Sequence, residues 1–251
     1  MLSDIHANLP ALESCLACVD KLHPDAIYCL GDLVGYNVWP NEVIAEIRKR
    51  RIPTIAGNYD QGIGMHSDEC GCAYKTEEEK AMGKISIAYT NEKIGEDERK
   101  YLRMLPAHIR ITFQSGKETF NMLFVHGSPR RINEYLFADR SDESFLRIMR
   151  DADADIMCFG HTHKQFQRVL VDPETNRVRL AINTGSVGKP KHGNPSGNFV
   201  MLDTDLQPPY DERLPVKVTY HGFGYDVERA ARAIEESPLP DAYADMLRRG
   251  V

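Results

Sequence analysis

The sequence contains no apolar run near the roughly 18 residues that a membrane-spanning helix needs. It opens on Met1-Leu2-Ser3-Asp4, without the basic and apolar regions of a secretory signal. A cytoplasmic protein with no membrane partner is therefore expected. Basic residues are in deficit, 31 Lys and Arg against 37 Asp and Glu for a net charge of −6, which argues against a chain that grips nucleic acid by bulk electrostatics. Cysteine is sparse: the six residues at 15, 18, 29, 70, 72 and 158 form no disulfide framework. Cys29 and Cys158 sit in apolar runs. Cys15 and Cys18 share helical spacing with Leu12, Leu16 and Val19, which reads as a buried helix face rather than a redox pair. Repeats, low-complexity tracts and linker compositions are also missing. With 42% hydrophobic and 27% charged residues, the expectation is one globular domain over residues 1–251.

What is present alternates. Helical periodicity over 10–22 and 41–51 is interleaved with short apolar strands at 26–30 and 52–56, the pattern of a mostly parallel α/β sheet. A Gly- and acid-rich loop runs to about Tyr74 and leads to helices near 77–91 and 96–105. Strands near 107–114 and 119–125, a helix near 141–151 and a strand at 155–159 follow. The turn Pro173-Glu174-Thr175-Asn176 announces antiparallel strands, and helices near 225–236 and 239–249 close the chain.

The chemistry-bearing residues gather just after the predicted strands, where open α/β sheets present their ligands. They are Asp4-Ile5-His6, Gly31-Asp32, Gly57-Asn58, His126-Gly127 and Gly160-His161-Thr162-His163. A single Asp at such a position is ordinarily a cap or turn residue. Here four of the nine histidines fall at strand ends together with two Asp and one Asn. Mixed imidazole and carboxylate suits zinc, manganese or iron, whereas calcium and magnesium want oxygen almost throughout.

These blocks resemble the calcineurin-like metallophosphoesterases, whose pattern is D-x-H, G-D, G-N-H-[DE], a lone H and G-H-x-H. The resemblance spans about residues 1–190 and implies a four-layer α/β/β/α sandwich. It also implies two divalent ions, Mn²⁺, Zn²⁺ or iron, acting on a small phosphate-ester substrate. Carried over position by position, one ion falls to Asp4, His6, Asp32 and His163. The other falls to Asp32, Asn58, His126 and His161, with Asp32 shared, and Asp32, Asn58, Tyr59 and Asp60 stand at the catalytic centre. Two such ions about 3.5–4 Å apart polarise phosphoryl oxygens and lower the pKa of a bridging water toward 7. Two M²⁺, two Asp and a hydroxide leave about +1, which draws anions.

The chain departs from the pattern at Gly57-Asn58-Tyr59-Asp60, where Tyr59 replaces the histidine credited with protonating the leaving group. Tyr59 is either a weak proton donor or a packing residue. Without an imidazole acid, diesters and activated monoesters are the favoured substrates. Arg130, Arg131 and Lys189, each just after a small-residue loop, are expected to bind substrate. The His66–Cys72 loop reads as a lid rather than a third metal site. Only Met1 and Leu2 precede Ser3-Asp4, shorter than the usual strand of about 5–6 residues, so the natural start is expected upstream. Two other readings are a non-catalytic protein-docking module of the same fold and a nuclease; the first should have lost ligands, and the second should carry the motif histidine and a basic surface. Self-association is left open.

Overall fold

The computed structural model describes residues 1–115, 117–204 and 216–251. Two sheets lie face to face with helices outside both, giving a mixed α/β architecture in four layers. The first layer contains α1 (Leu9–Lys21), α2 (Pro40–Lys49), α3 (Asn58–Gly64) and α5 (Glu96–Arg103), with α4 (Glu77–Lys93) beside them. Asn8 starts α1 by accepting the Ala11 N–H, and proline stands in the first turn of both α1 and α2, where its missing N–H costs nothing.

The complete sheet has the order β1 (His108–Ser115), β2 (Glu118–Val125), β3 (Ile156–Phe159), β5 (Val178–Asn183), β4 (Phe166–Val171). The central pairs β2–β3 and β3–β5 are parallel, and the outer pairs are antiparallel. Buried on both faces, β3 and β5 carry continuous rather than alternating burial. Outside them lies α6 (Asp142–Asp151), which packs Phe145 and Met149 on Met157 and Phe159.

The second sheet is built from β6 (Gly197–Asp203) and β7 (Lys217–Phe223). It is extended by three very short segments through the bonds Val200 N–H to Met1 O (3.1 Å), Leu30 N–H to Leu2 O (2.8 Å) and Ile55 N–H to Cys29 O (3.1 Å). The strands expected over 26–30 and 52–56 are thereby corrected to single parallel bridges, Leu2 with Cys29 and Cys29 with Thr54. Each segment meets a turn after about three residues, too few for a ladder. The loop expected to run to Tyr74 is also corrected, since Asn58–Gly64 is helical. Between the sheets Leu30, Ile55, Phe124, Ile156, Cys158 and Val200 make the inner core. The last helices, α7 (Val227–Glu235) and α8 (Ala242–Arg249), bury Ala231, Ile234 and Leu247 together. No helix among the described residues is long and apolar enough to cross a membrane.

Candidate metal centre

The parallel segments of both sheets end on the same side, and their turns meet there. Five residues of that meeting point, Asp4 (φ 54°), His6 (50°), Asp32 (56°), His161 (63°) and His163 (60°), have left-handed backbones. Such a conformation costs a residue with a Cβ about 1–2 kcal/mol, so it persists only where surrounding contacts impose it. Those contacts are visible: Asp4 N–H bonds Gly31 O (3.0 Å), and the N–H groups of Ile5 and His6 both bond Asp32 O (2.9 Å each). The motif glycines let the loops approach. A Cβ on Gly57 would collide with the carboxylate and backbone of Asp32, and one on Gly160 with Ser3 and Asp4 Oδ2.

All seven side chains named from the sequence converge here, each at most 4% exposed. Ligand atoms of Asp4, His6 and His163 lie within 4.8 Å of one another, as do those of Asp32, His126 and His161. Asp32 Oδ2 stands between the trios, 3.6 Å from His6 Nε2 and 3.4 Å from His126 Nε2. Its Oδ1 accepts the Tyr59 N–H at 2.9 Å. Asn58 Oδ1 is 3.1 Å from His126 Nε2, while its Nδ2 donates to Cys70 O at 2.8 Å and lies 3.5 Å from Cys72 Sγ.

The proton positions show what the cluster lacks. A carbonyl only accepts, so His6 Nδ1 donates to Val34 O (3.0 Å), His126 Nδ1 to Leu30 O (2.8 Å) and His163 Nδ1 to Lys189 O (2.6 Å). In the neutral tautomer each inward Nε2 is then a bare lone pair. His6 Nε2 and His163 Nε2 lie only 3.2 Å apart, and His163 Nε2 is 3.2 Å from Asp4 Oδ1. Asn58 Oδ1 likewise confronts His126 Nε2 as a second acceptor whenever that imidazole is neutral, as a ligand must be. His161 Nε2 and Asp4 Oδ1 are buried without hydrogen-bond partners. A buried set of converging acceptors is stable only around positive charge, and imidazole with carboxylate is the donor set of a transition-metal ion. The backbone carbonyls behind the rings are the outer shell that fixes such ligands.

Electrostatics agree. Burial alone would raise the Asp4 and Asp32 carboxyls, but the neighbouring imidazoles, His163 beside Asp4 and His126 beside Asp32, hold both below the ordinary range. Burial lowers His6 and His161 to about 3 each. His126, despite burial, is raised to about 10 by the Asp32 carboxylate. The site thus draws positive charge to the His126–Asp32 side, where a bound cation would replace the His126 proton, while His6, His161 and His163 stay neutral as ligation requires.

The remaining sequence-derived residues fall around this centre. Tyr59 is 1% exposed and packs edge-on against His6 at 5.5 Å and at a tilt against Tyr36 at 4.8 Å; its hydroxyl has no hydrogen-bond partner among the described residues. Burial pushes the phenol well above its ordinary pKa. Asp60 turns away from the ligands: Oδ2 accepts from Asp32 N (2.7 Å) and Gly57 N (2.9 Å), and Oδ1 from Leu33 N (2.8 Å). Arg130 is bound to Glu134 through two nitrogens, whereas the exposed Arg131 side chain has no ion pair among the described residues. Both line a cavity of about 580 Å³ with Asn133, and Asn133 also lines a cleft of about 360 Å³ that reaches Asn58 and Cys70. The His66–Cys72 loop forms one wall of that cleft and supplies the Asn58 amide with its acceptor.

Sequence reasoning missed several supports. Ser3 Oγ donates to Asp4 Oδ2 at 2.6 Å, and Ser186 Oγ to Asp4 O at 2.8 Å. Tyr135 packs at a tilt against His161 with ring centroids 4.1 Å apart. Only Ser3, adjacent to a ligand, carried a local signal.

The model of the calcineurin-like phosphoesterase superfamily domain matches residues 1–207. An uncharacterized protein of Methanocaldococcus jannaschii is 29% identical over 265 residues, covering 100% of this chain and 97% of the relative. Among solved structures, a metallophosphoesterase from Sphaerobacter thermophilus is similar at 26% identity with a TM-score of 0.74, over 100% of this chain and 97% of that one. A hypothetical protein from Pyrococcus horikoshii shares the fold, with a TM-score of 0.78, 24% identity and the same coverage.

Proposed function

Because the chain belongs to the calcineurin-like phosphoesterase superfamily, we propose that this metal-dependent phosphoesterase carries two divalent ions and hydrolyses phosphate diesters or activated monoesters. One ion would be held by Asp4, His6, Asp32 and His163 and the other by Asp32, Asn58, His126 and His161. The observation that carries the reading is the 3.2 Å approach of His6 Nε2 and His163 Nε2, both with their Nδ1 protons committed elsewhere. The shared position of Asp32 Oδ2 supports its bridging role.

Divalent ions bound there supply Lewis-acid activation of a phosphoryl oxygen and of the attacking water. The protein's part is positioning. Val34, Leu30 and Lys189 carbonyls lock the rings of His6, His126 and His163, and the Cys70 carbonyl aims Asn58 Oδ1 inward. Arg131, which has no ion pair among the described residues and lines a cavity with Asn133, suits a non-bridging phosphoryl oxygen. Leaving-group protonation is the weak step: the Tyr59 phenol is buried and raised above its ordinary pKa, so it donates poorly near neutrality. Esters whose leaving groups depart unprotonated are therefore favoured, and a diester's lower charge eases nucleophile approach.

The test is hydrolysis of bis(4-nitrophenyl) phosphate, 4-nitrophenyl phosphate and glycerol 1-phosphate by protein reconstituted with Mn²⁺, Zn²⁺ or Fe²⁺, with bound metal counted. Two ions per chain and rates falling steeply with leaving-group basicity are expected. No hydrolysis with any of these metals would overturn the reading.

A further inference from the structure

A group of lysines that form no ion pair among the described residues stands beside the Asp4–His6–His163 trio. Lys189 is 6% exposed, yet among the described residues its Nζ meets soft partners alone: the Tyr36 ring at 4.6 Å, the Tyr243 ring at 5.8 Å and Met246 Sδ at 3.9 Å. Half-buried Lys191 and exposed Lys164 are nearby, and among the described residues no carboxylate lies within ion-pair distance of any of the three. This is unusual in a chain of net charge −6, in which Arg50, Arg150 and Arg248 each face two or more carboxylates.

The placement is built. Gly188 N–H and Ser186 Oγ both bond Asp4 O, Ser186 Oγ accepts the Lys189 N–H at 2.8 Å, and Lys189 O holds His163 Nδ1. One ring separates the ammonium from the ligands, because Tyr36 packs 4.9 Å from His6. Burying an ammonium without a counter-ion is costly. A methionine would fill the same tyrosine cage without that cost, so packing alone does not account for a lysine.

We infer that Lys189 and Lys191 form a subsite for a second anionic group, phosphoryl or carboxylate, carried on the leaving portion of the substrate. The inference rests on the phosphoesterase reading and narrows its substrate class. The scissile phosphoryl group would sit at the ions that the seven ligands hold, and the second anion would supply the counter-charge that no described residue brings within ion-pair distance of Lys189. Lys164 at the rim adds to the same field.

The experiment compares 4-carboxyphenyl phosphate with 4-(hydroxymethyl)phenyl phosphate, which are similar in size and leaving-group basicity but differ by one charge. Wild-type kcat/KM is expected to favour the carboxylate by about tenfold, the scale of one charge-assisted contact. Lys189→Met should bring that ratio close to one, and Lys191→Met, at a half-buried position that tolerates change, should lower it severalfold. The corresponding phosphonates, titrated calorimetrically into the metal-reconstituted protein, should show the same order of affinity, a reading independent of turnover. Equal wild-type kcat/KM for both esters, or a preference that survives in both variants, overturns the inference while leaving the phosphoesterase reading intact. Failure to hydrolyse both bis(4-nitrophenyl) phosphate and 4-nitrophenyl phosphate with any metal would instead sink that reading.

Discussion

Asp60 Oδ2 accepts the backbone N–H of Asp32 at 2.7 Å, so one buried carboxylate holds the main chain of another. Burial and the Asp32 charge raise the Asp60 carboxyl to about 7, yet three backbone N–H groups keep it in place. Asp60→Asn would turn an NH₂ toward at least one of those donors, costing about 1–3 kcal/mol for a buried donor left unsatisfied. Because the change loosens the Asp32 loop without touching the ligands, the variant should bind metal less tightly and regain most of its kcat at saturating metal. A loss that excess metal leaves untouched would make Asp60 a direct participant.

Tyr59→Phe removes a hydroxyl that is buried and has no hydrogen-bond partner. Stability should hold or rise slightly, since desolvating that hydroxyl is uncompensated. Turnover should stay within about threefold on both 4-nitrophenyl and alkyl esters, because a phenol that does not donate is not missed. A fall of one to three orders of magnitude confined to alkyl esters would show that Tyr59 protonates the leaving group.

The five ligand-bearing turns were legible because each sets a residue of unusual chemistry directly after a strand end. The supports behind them were not. Ser186 lies 182 positions from Asp4, and the Cys70 carbonyl that orients Asn58 is a backbone atom with no side-chain signature. The helix Asn58–Gly64 escaped because seven residues, two of them glycine, show no apolar period. The strands over 26–30 and 52–56 were overextended because apolar runs report burial, whereas a ladder also needs a partner of equal length. The small-residue loop before Lys189 marks it as a substrate-binding cation but carries no sign of its burial, which the tyrosines of distant segments reveal.

Arg130 and Arg131 are adjacent but not equivalent. Glu134 neutralises Arg130 through two nitrogens, while Arg131 is free among the described residues and faces the same cavity. Arg131→Ala should raise KM for a phosphate ester by about tenfold with kcat and metal content nearly unchanged, the signature of lost uniform binding. Arg130→Ala should change KM by less than about threefold, reading out only the loosened 128–134 turn. Equal effects from the two would mean that the Glu134 pair opens when substrate binds.

Removing ligands one at a time tests how the seven residues divide between two ions. Asp32 Oδ2 lies within 3.6 Å of an imidazole from each trio, whereas Asn58 Oδ1 approaches only His126. Asp32→Asn should therefore depress occupancy of both ions, whereas Asn58→Ala should release one and leave the other near wild-type affinity. His163→Ala should act on the opposite ion from Asn58→Ala, since His163 pairs with His6 and Asp4. Thermal unfolding gives an independent reading: metal bound only by the folded state raises Tm, and each site contributes by mass action, about 2.7 kcal/mol at a hundredfold excess over its Kd. Wild type should show the largest metal-dependent rise, Asn58→Ala and His163→Ala intermediate rises, and Asp32→Asn the smallest. Identical metal counts for Asp32→Asn and Asn58→Ala would mean that Asp32 serves one ion alone, and the shared-ligand arrangement would have to be abandoned.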